Sequence, residues 1–526
     1  MASRLLGLLL VSLCAPWSAV LAAEPVTAVG HYALDIHLDP SAGRFTGSVS
    51  ITFTRAAGDT APLAVDMAAA LKAESVVLDD QPVSFDHQGD ILTVQWPAGD
   101  AGKSSHGLSI RYSGLPDRQG LRFTSDQGGR YVVNFGMPYT AKHWWPDFDD
   151  PALKARSADI RISLPKGLTA VSNGELAEVK DLPDGQHQYH WVESYPIYPD
   201  VLSIAAADYT RLDSSYTDAA GQAVPIRYYV LKQDAALAQK EFAFVPDVLK
   251  VYERLFGPYP FAKEKYGIAE VPFPSFREHQ TIPSLGRGLM TGTSPVWDLG
   301  TVQNVIAHDM AHQWFGNSLT PASWSDVWLN EGFATYAVAL WHEQSGGATA
   351  YRDFMRFLDS RDFSGSVYIK DAQDVDDEFT STTFNKGAWV LHMLRHVMGD
   401  PAFFAALHAY ATGNAYGQVD TARWMAAYER QYGKPLDWFF EEWVYGTGQP
   451  AFKSSWSQAG GKLELKISQT QSGQVFTLPL DVEVDTDNGQ TRQTVWLRHK
   501  EESVVLPVDG RVKAVVLDPD GWVLKD

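Results

Sequence analysis

A change of hydrophobic period along the chain does most to limit what it can fold into. From about Val26 to Asp208 apolar residues recur at every second position, as in Tyr32, Leu34, Ile36 and Leu38 and again in Val49, Ile51 and Phe53. Successive side chains of a strand point to opposite faces, so this pattern predicts a β domain. From about Tyr209 to Gly448 the texture turns helical, with stretches at Ala235 to Leu255, Thr301 to Phe315, Asn385 to Met398 and Thr421 to Tyr432. Beyond the breaker cluster Gly446-Thr447-Gly448-Gln449-Pro450, alternation returns in Leu463, Leu465, Ile467 and in Leu478, Leu480, Val482, Val484. Asn488-Gly489 and Asp518-Pro519-Asp520-Gly521 read as turns between strands. The expected chain is multidomain α+β: an N-terminal β domain over 24–208, an α-rich domain over 209–448 and a small C-terminal β-sandwich over 449–526.

The first residues have the shape of a signal peptide, with Arg4, an apolar run from Leu5 to Leu13 and small residues from Ala19 to Ala23. A signal over 1–23 predicts a periplasmic or secreted mature protein. The run is too short to span a membrane, and no later apolar stretch reaches eighteen residues. The only cysteine, Cys14, lies inside that signal. Disulfides and thiolate chemistry are therefore excluded from the mature chain, and a metal site must be built from histidines and carboxylates. A formal charge of −20 with pI near 5.1 argues against nucleic acid or anionic membrane as partners, because phosphates are repelled.

Within the helical middle, His308 and His312 are four residues apart, which places both imidazoles on one helix face about a turn apart. Two such rings can share a tetrahedral zinc, and Glu331, nineteen residues on at the start of another helical stretch that ends near Gly346-Gly347, supplies an anionic third ligand. Spacing alone is weak evidence, since 15 histidines in 526 residues give roughly 0.4 such pairs by chance. The chain holds its own control in His392 and His396, also four apart but without a nearby carboxylate, which read as a structural helix face.

Flanking sequence separates the two pairs. The segment from Val305 to Asn317, containing His308-Asp309-Met310-Ala311-His312-Gln313-Trp314-Phe315-Gly316-Asn317, and then Trp328-Leu329-Asn330-Glu331-Gly332-Phe333-Ala334, closely resembles the aminopeptidase N family of gluzincin zinc metallopeptidases. The resemblance extends to Trp145-Pro146-Asp147-Phe148-Asp149-Asp150-Pro151-Ala152-Leu153-Lys154, to Ser172-Asn173 and to Asn385-Lys386-Gly387-Ala388, and so covers most of the mature chain. It implies a β-sheet saddle domain, a thermolysin-like catalytic domain and a C-terminal β-sandwich. It also implies one Zn2+ per chain on His308, His312 and Glu331, and substrates that are peptides or small proteins with a free N-terminus. Many relatives carry a further helical domain after the sandwich; without one, the expected site is more open or is covered by another subunit.

At four positions the chain departs from the family pattern. The family places a glutamate general base after the first zinc histidine, where this chain has Asp309. Aspartate is shorter by one methylene, roughly 1.5 Å, and a misplacement of about 1 Å can cost on the order of 100-fold in rate. The family's oxyanion-stabilising tyrosine corresponds to Phe384, with Thr382 and Thr383 close by in sequence, and loss of one such donor typically costs about 10² to 10³ in rate. The family's Gly-x-Met-Glu-Asn segment corresponds to Ser275-Phe276-Arg277-Glu278-His279, in which Glu278 keeps the role of amine anchor while Phe276 and Arg277 add bulk and charge. A second amine anchor, glutamine or glutamate in the family, aligns with Met137.

Three readings follow from intact ligands beside altered catalytic positions. They are a zinc aminopeptidase with weakened catalysis, an inactive zinc-binding peptide-recognition protein, and a zinc hydrolase of other specificity. Asp326 and Thr335 flank Glu331 and are candidates for orienting ligands. His143 and Lys386 read as packing or ion-pair elements.

Overall fold

The alternation near the N-terminus becomes an eight-stranded sheet in the computed structural model, which describes residues 26–97, 102–126, 129–136, 138–295, 299–359, 363, 365–370, 372 and 379–526. The signal segment 1–23 and Met137 lie outside the described residues. Strand Ala28–Asp39 pairs antiparallel with Arg44–Thr54 and parallel with Ala158–Pro165. Its even-numbered residues Tyr32, Leu34, Ile36 and Leu38 are buried, as the period-two reading requires. Smaller sheets, one of four strands and one of three, complete this β-rich region.

The middle of the chain is less helical than its texture suggests, because it opens with a five-stranded mixed sheet. The strands run in the order Tyr209–Thr217, Ala223–Leu231, Tyr266–Val271, Ser284–Gly286 and Phe276–Arg277. This sheet is covered on both faces. Val224, Ile226, Tyr228 and Val230 join the core beneath the helices, while Tyr229 and Leu231 join the core of the N-terminal region. The same split divides Tyr266 and Ile268 from Ala269 and Val271. A strand buried on both faces shows no polar alternation, which is why its sequence does not announce a strand.

Helices follow at Val302–Ala311, Trp328–Leu358, Gly387–Met398, Asp400–Gly413 and Thr421–Tyr432. Thr301 caps the first, its Oγ1 accepting the Asn304 amide at 3.2 Å, and Asp420 caps the last, accepting the Arg423 amide at 2.7 Å. The helix Trp328–Leu358 breaks at Gly347, where φ is 77°. The stretch expected from Asn385 begins instead as a wide turn of π-helix over Thr382–Lys386 before running on regularly from Gly387.

The C-terminal part forms two three-stranded sheets, Phe452–Ala459, Lys462–Gln469 and Glu501–Pro507 against Gly489–Leu497, Leu478–Thr486 and Val512–Leu517. Leu463, Leu465 and Ile467 from one sheet and Leu480, Val482 and Val484 from the other share a core with the helices, so this β-sandwich is packed onto the zinc-motif region. The hairpin turn lies at Asp487-Asn488, because Thr486 already pairs with Gly489.

Candidate metal centre and active site

His308 lies in the last turn of the helix Val302–Ala311, and His312 caps that helix. Glu331 stands in the first turn of the helix Trp328–Leu358. Packing of these two helices brings the three side chains together, all buried. His308 Nε2 and His312 Nε2 are 3.0 Å apart, and Glu331 Oε2 lies 3.2 Å from the first and 3.4 Å from the second. A tetrahedron with metal–ligand bonds of about 2.0–2.1 Å has edges of roughly 3.3 Å, so these atoms fit one face of a tetrahedral zinc site.

The outer ring nitrogens support the same arrangement. His312 Nδ1 lies 3.0 Å from the Phe315 carbonyl, which can only accept, so the proton sits on Nδ1 and leaves the Nε2 lone pair toward the cluster in the neutral ring. His308 Nδ1 lies 3.4 Å from the Thr335 hydroxyl, one helical turn beyond Glu331. Thr335 therefore orients a ligand, as expected. Asp326 does not: its carboxylate accepts from the backbone and hydroxyl of Thr421 and so fixes the start of a distant helix.

The electrostatics ask for positive charge at this point. Burial pulls the His312 pKa down, but the Glu331 carboxylate outweighs it and holds His312 up at about 9. Burial pushes Glu331 up, and the two imidazoles outweigh it, holding Glu331 down at about 2. A divalent cation satisfies that demand while leaving the rings neutral.

Around the three ligands, side chains from several of the family-like segments hold the backbone of Glu278–Thr281 in place. Asn317 Nδ2, in the turn after His312, donates to the Glu278 carbonyl at 2.8 Å. Gln313 accepts the Thr281 amide at 2.8 Å, and Asn173 Nδ2 donates to the Gln280 carbonyl at 2.6 Å from the N-terminal region. Lys154 Nζ, at the end of the tryptophan-proline segment, donates to the carbonyls of Asn317 and Ser318 at 2.7 and 3.0 Å. The Glu278 side chain lines a narrow cavity with Glu331, Tyr198, His279, Gly136 and Pro138. Burial, then the neighbouring Glu331, raises the Glu278 pKa above the usual carboxylate range against the pull of His312 and Arg277.

Asp309 is buried beside the ligands, with Oδ1 unpaired among the described residues. Burial and then Glu278 push its pKa well above the usual range. The Phe384 ring stacks near-parallel on His308, with centroids 5.8 Å apart and 14° between planes. Phe276 meets the same imidazole edge-on at 5.7 Å. Thr383 Oγ1 lies 3.4 Å from Thr380 Oγ1. Strand Phe276–Arg277 is the outermost of its sheet and pairs on one side only, with Ser284–Gly286. Among the described residues no strand covers its other edge, although the Phe276 carbonyl already accepts from Arg277 Nη1, so an extended peptide there would meet a partly engaged backbone.

The remaining candidates are structural. His143 Nδ1 lies 3.3 Å from Asp117, and Lys386 Nζ donates to the Gly365 carbonyl at 3.2 Å. The control pair His392 and His396 stacks on the Trp522 indole, at 4.6 and 5.1 Å between centroids, and ties the C-terminus to the helix Gly387–Met398.

Two family descriptions match this chain, the Peptidase M1 N-terminal domain over residues 29–198 and the Peptidase family M1 domain over residues 289–443. The chain belongs to peptidase family M1. M1 peptidases of the gluzincin type use zinc, and the His308, His312 and Glu331 group is able to hold it. Aminopeptidase M1 of Arabidopsis thaliana is 26% identical over 347 residues, covering 63% of this chain and 38% of the relative. Aminopeptidase A of Legionella pneumophila, crystallised with aspartic acid, superposes with a TM-score of 0.83 at 19% identity, over 95% of this chain and 59% of that one. A mutant M1 zinc metallopeptidase from Deinococcus radiodurans superposes with a TM-score of 0.68 at 24% identity, over 80% of this M1 chain and 95% of its own. At these identities the two structures speak for the fold. The M1 chain spans about half the length of the curated relatives it matches, from 38% to 58% among the first three.

Proposed function

We propose that this protein is a zinc aminopeptidase acting on peptides with a free N-terminus, its turnover slowed by Asp309 and Phe384. The observation that carries the reading is the convergence on one buried point of the three-ligand face, the Asp309 and Glu278 carboxylates and an open strand edge. The edge of Phe276–Arg277 pairs with the peptide backbone and Glu278 accepts the terminal amine. When bound, zinc polarises the scissile carbonyl and makes water nucleophilic near neutral pH. Asp309 would be the carboxylate that holds the proton of the attacking water and gives it to the leaving amine. Phe384 brings to the oxyanion donor's position an aromatic ring stacked on His308 and no hydroxyl.

The test is one purification of the full chain with two readings: zinc content by mass spectrometry, and hydrolysis of a panel of aminoacyl amides by wild type and by the Asp309→Glu/Phe384→Tyr variant. Stoichiometric zinc and slow wild-type turnover that rises in the double variant are expected. Absence of zinc removes the basis of the reading, and a wild type as fast as the double variant refutes the weakening. A second reading, zinc-dependent peptide recognition without turnover, is favoured by the hydrocarbon ring of Phe384 stacked on His308, and is the outcome if only the double variant hydrolyses. Export to the periplasm or medium, read from residues 1–23, belongs to the same proposal and is checked by the N-terminus of the mature chain.

A further inference from the structure

A charged N-terminus carries three N–H donors, and once it is buried each of them needs an acceptor. The Glu278 carboxylate, facing its narrow cavity beside Glu331, offers two oxygens. A third acceptor has to come from elsewhere on the wall. Of the polar side chains there, Trp324 can only donate, and His279 is taken up by Ser284 and Asn134 at 3.1 and 3.5 Å. Asn330 has a buried oxygen without a partner among the described residues, but its amide leans toward the zinc ligands, 3.5 Å from where a Cβ on Gly316 would stand next to His312. Tyr198 and Asp200 remain, two residues apart around the 3-10 turn Pro199–Val201.

This turn is stitched to the segment that holds Glu278. The Gln280 amide donates to the Val201 carbonyl at 3.3 Å, and Asn173 Nδ2 spans the two, donating to the carbonyls of Val201 and Gln280 at 2.9 and 2.6 Å. The Tyr198 ring is 3% exposed and packs against Trp324 with centroids 6.2 Å apart, which fixes the place of its hydroxyl. That hydroxyl makes no hydrogen bond among the described residues; burial, then the charges of Glu278, Asp200 and Glu331 in that order, keep its proton on. Asp200 is itself held, its Oδ1 accepting the Thr140 and Ala141 amides, both at 3.2 Å. A neutral phenol flanked by carboxylates turns its proton toward one of them and leaves its oxygen lone pairs for a cation in the cavity.

We infer that the Tyr198 hydroxyl, backed by Asp200, is the acceptor that joins Glu278 in binding the substrate's terminal ammonium group. The inference rests on the aminopeptidase reading for the placement of the amine at Glu278, but its test does not depend on turnover. Zinc-loaded full-length protein is titrated calorimetrically at about pH 7, below the ordinary pKa of an α-amino group, with L-leucinamide and with 4-methylpentanamide, which differ only in the amine. The amine-bearing ligand binds more tightly by roughly 100-fold, and Glu278→Gln removes most of that ratio. Tyr198→Phe keeps the ring and lowers the ratio by roughly 10-fold, the scale of one hydrogen bond to a charged group, with the affinity for 4-methylpentanamide unchanged. Asp200→Asn keeps an oxygen for the Thr140 and Ala141 amides and lowers the ratio several-fold.

An unchanged ratio in Tyr198→Phe, or an equal loss of affinity for both ligands, overturns the inference; if Glu278→Gln still lowers the ratio, the amine anchor and the aminopeptidase reading stand without it. If Tyr198→Phe does not fold, Asp200→Asn decides, and an unchanged ratio there overturns the inference. A wild-type ratio near one removes the amine site and both proposals with it. The expected ratios without any hydrolysis of aminoacyl amides leave this inference standing and remove the aminopeptidase.

Discussion

Substituting Gly387 by alanine tests whether the site depends on one close crossing of backbones. Gly332, next to the ligand Glu331, and Gly387, three residues after Phe384, face each other where their helices meet. A Cβ on Gly387 would stand 2.9 Å from the Gly332 Cα, and a Cβ on Gly332 would stand 2.9 Å from the Gly387 Cα. Ordinary carbon contacts lie near 3.5–4.0 Å, so the helices must part by about 0.6–1 Å. The neighbouring atoms are backbone and cannot swing away.

Overpacking of this kind typically costs about 1–3 kcal/mol. Glu331 and Phe384 ride on the separated elements, so zinc affinity should fall by about 10- to 100-fold, the scale seen when the groups that orient ligands are disturbed. Urea denaturation followed by tryptophan fluorescence and zinc competition with a chromogenic chelator read the two effects. Gly413→Ala is the control, because its Cβ would meet nothing within 4 Å. It should be neutral or slightly stabilising. A Gly387→Ala protein with an unchanged urea midpoint and unchanged zinc affinity would refute the crossing as the device that sets the site.

Three further outcomes are expected. Glu331→Gln should weaken zinc binding by at least about 100-fold, and Thr335→Val by about 10-fold through loss of the hydroxyl at His308 Nδ1, both read by chelator competition. Asp326→Ala should cost about 1–3 kcal/mol in urea denaturation by stranding the Thr421 amide and hydroxyl, yet leave zinc affinity alone. His392 is buried between the Tyr351 hydroxyl at 2.6 Å and the Gly521 carbonyl at 3.0 Å, and burial pushes its pKa down to about 3. The unfolded imidazole takes a proton below about pH 6.5 that the folded one refuses, so stability falls as pH drops, by about 2 kcal/mol at pH 5. In His392→Gln the slope of unfolding free energy against pH should lose about one proton between pH 6 and 4; an unchanged slope would clear His392 of that role.

The two zinc histidines were legible because a spacing of four puts both rings on one helix face and their flanking residues resemble a known family, which His392 and His396 at the same spacing do not; Glu331 was legible from that same resemblance. The edge strand Phe276–Arg277 was not legible, since two residues carry no period, and neither was Tyr266–Val271, whose two faces are both apolar. The π-turn over Thr382–Lys386 and the glycine crossing beside it leave no periodic mark either, because both arise from contact between segments remote in sequence. Hence the ligands could be named from the chain alone, while what surrounds them could not. That difference bears on catalysis. Asp309 and Phe384 reach the site from different elements, so their shortened carboxylate and missing hydroxyl are not linked by any local constraint. Both changes draw a polar atom back from the same buried point, and the unpaired Asp309 oxygen leaves one carboxylate lone pair uncommitted there. If the two losses act on a single transition state, restoring them singly should give rate gains that do not multiply, whereas independent effects would multiply. Comparing Asp309→Glu, Phe384→Tyr and the double variant thus distinguishes a site in which base and oxyanion donor work as a unit from one in which either alone suffices.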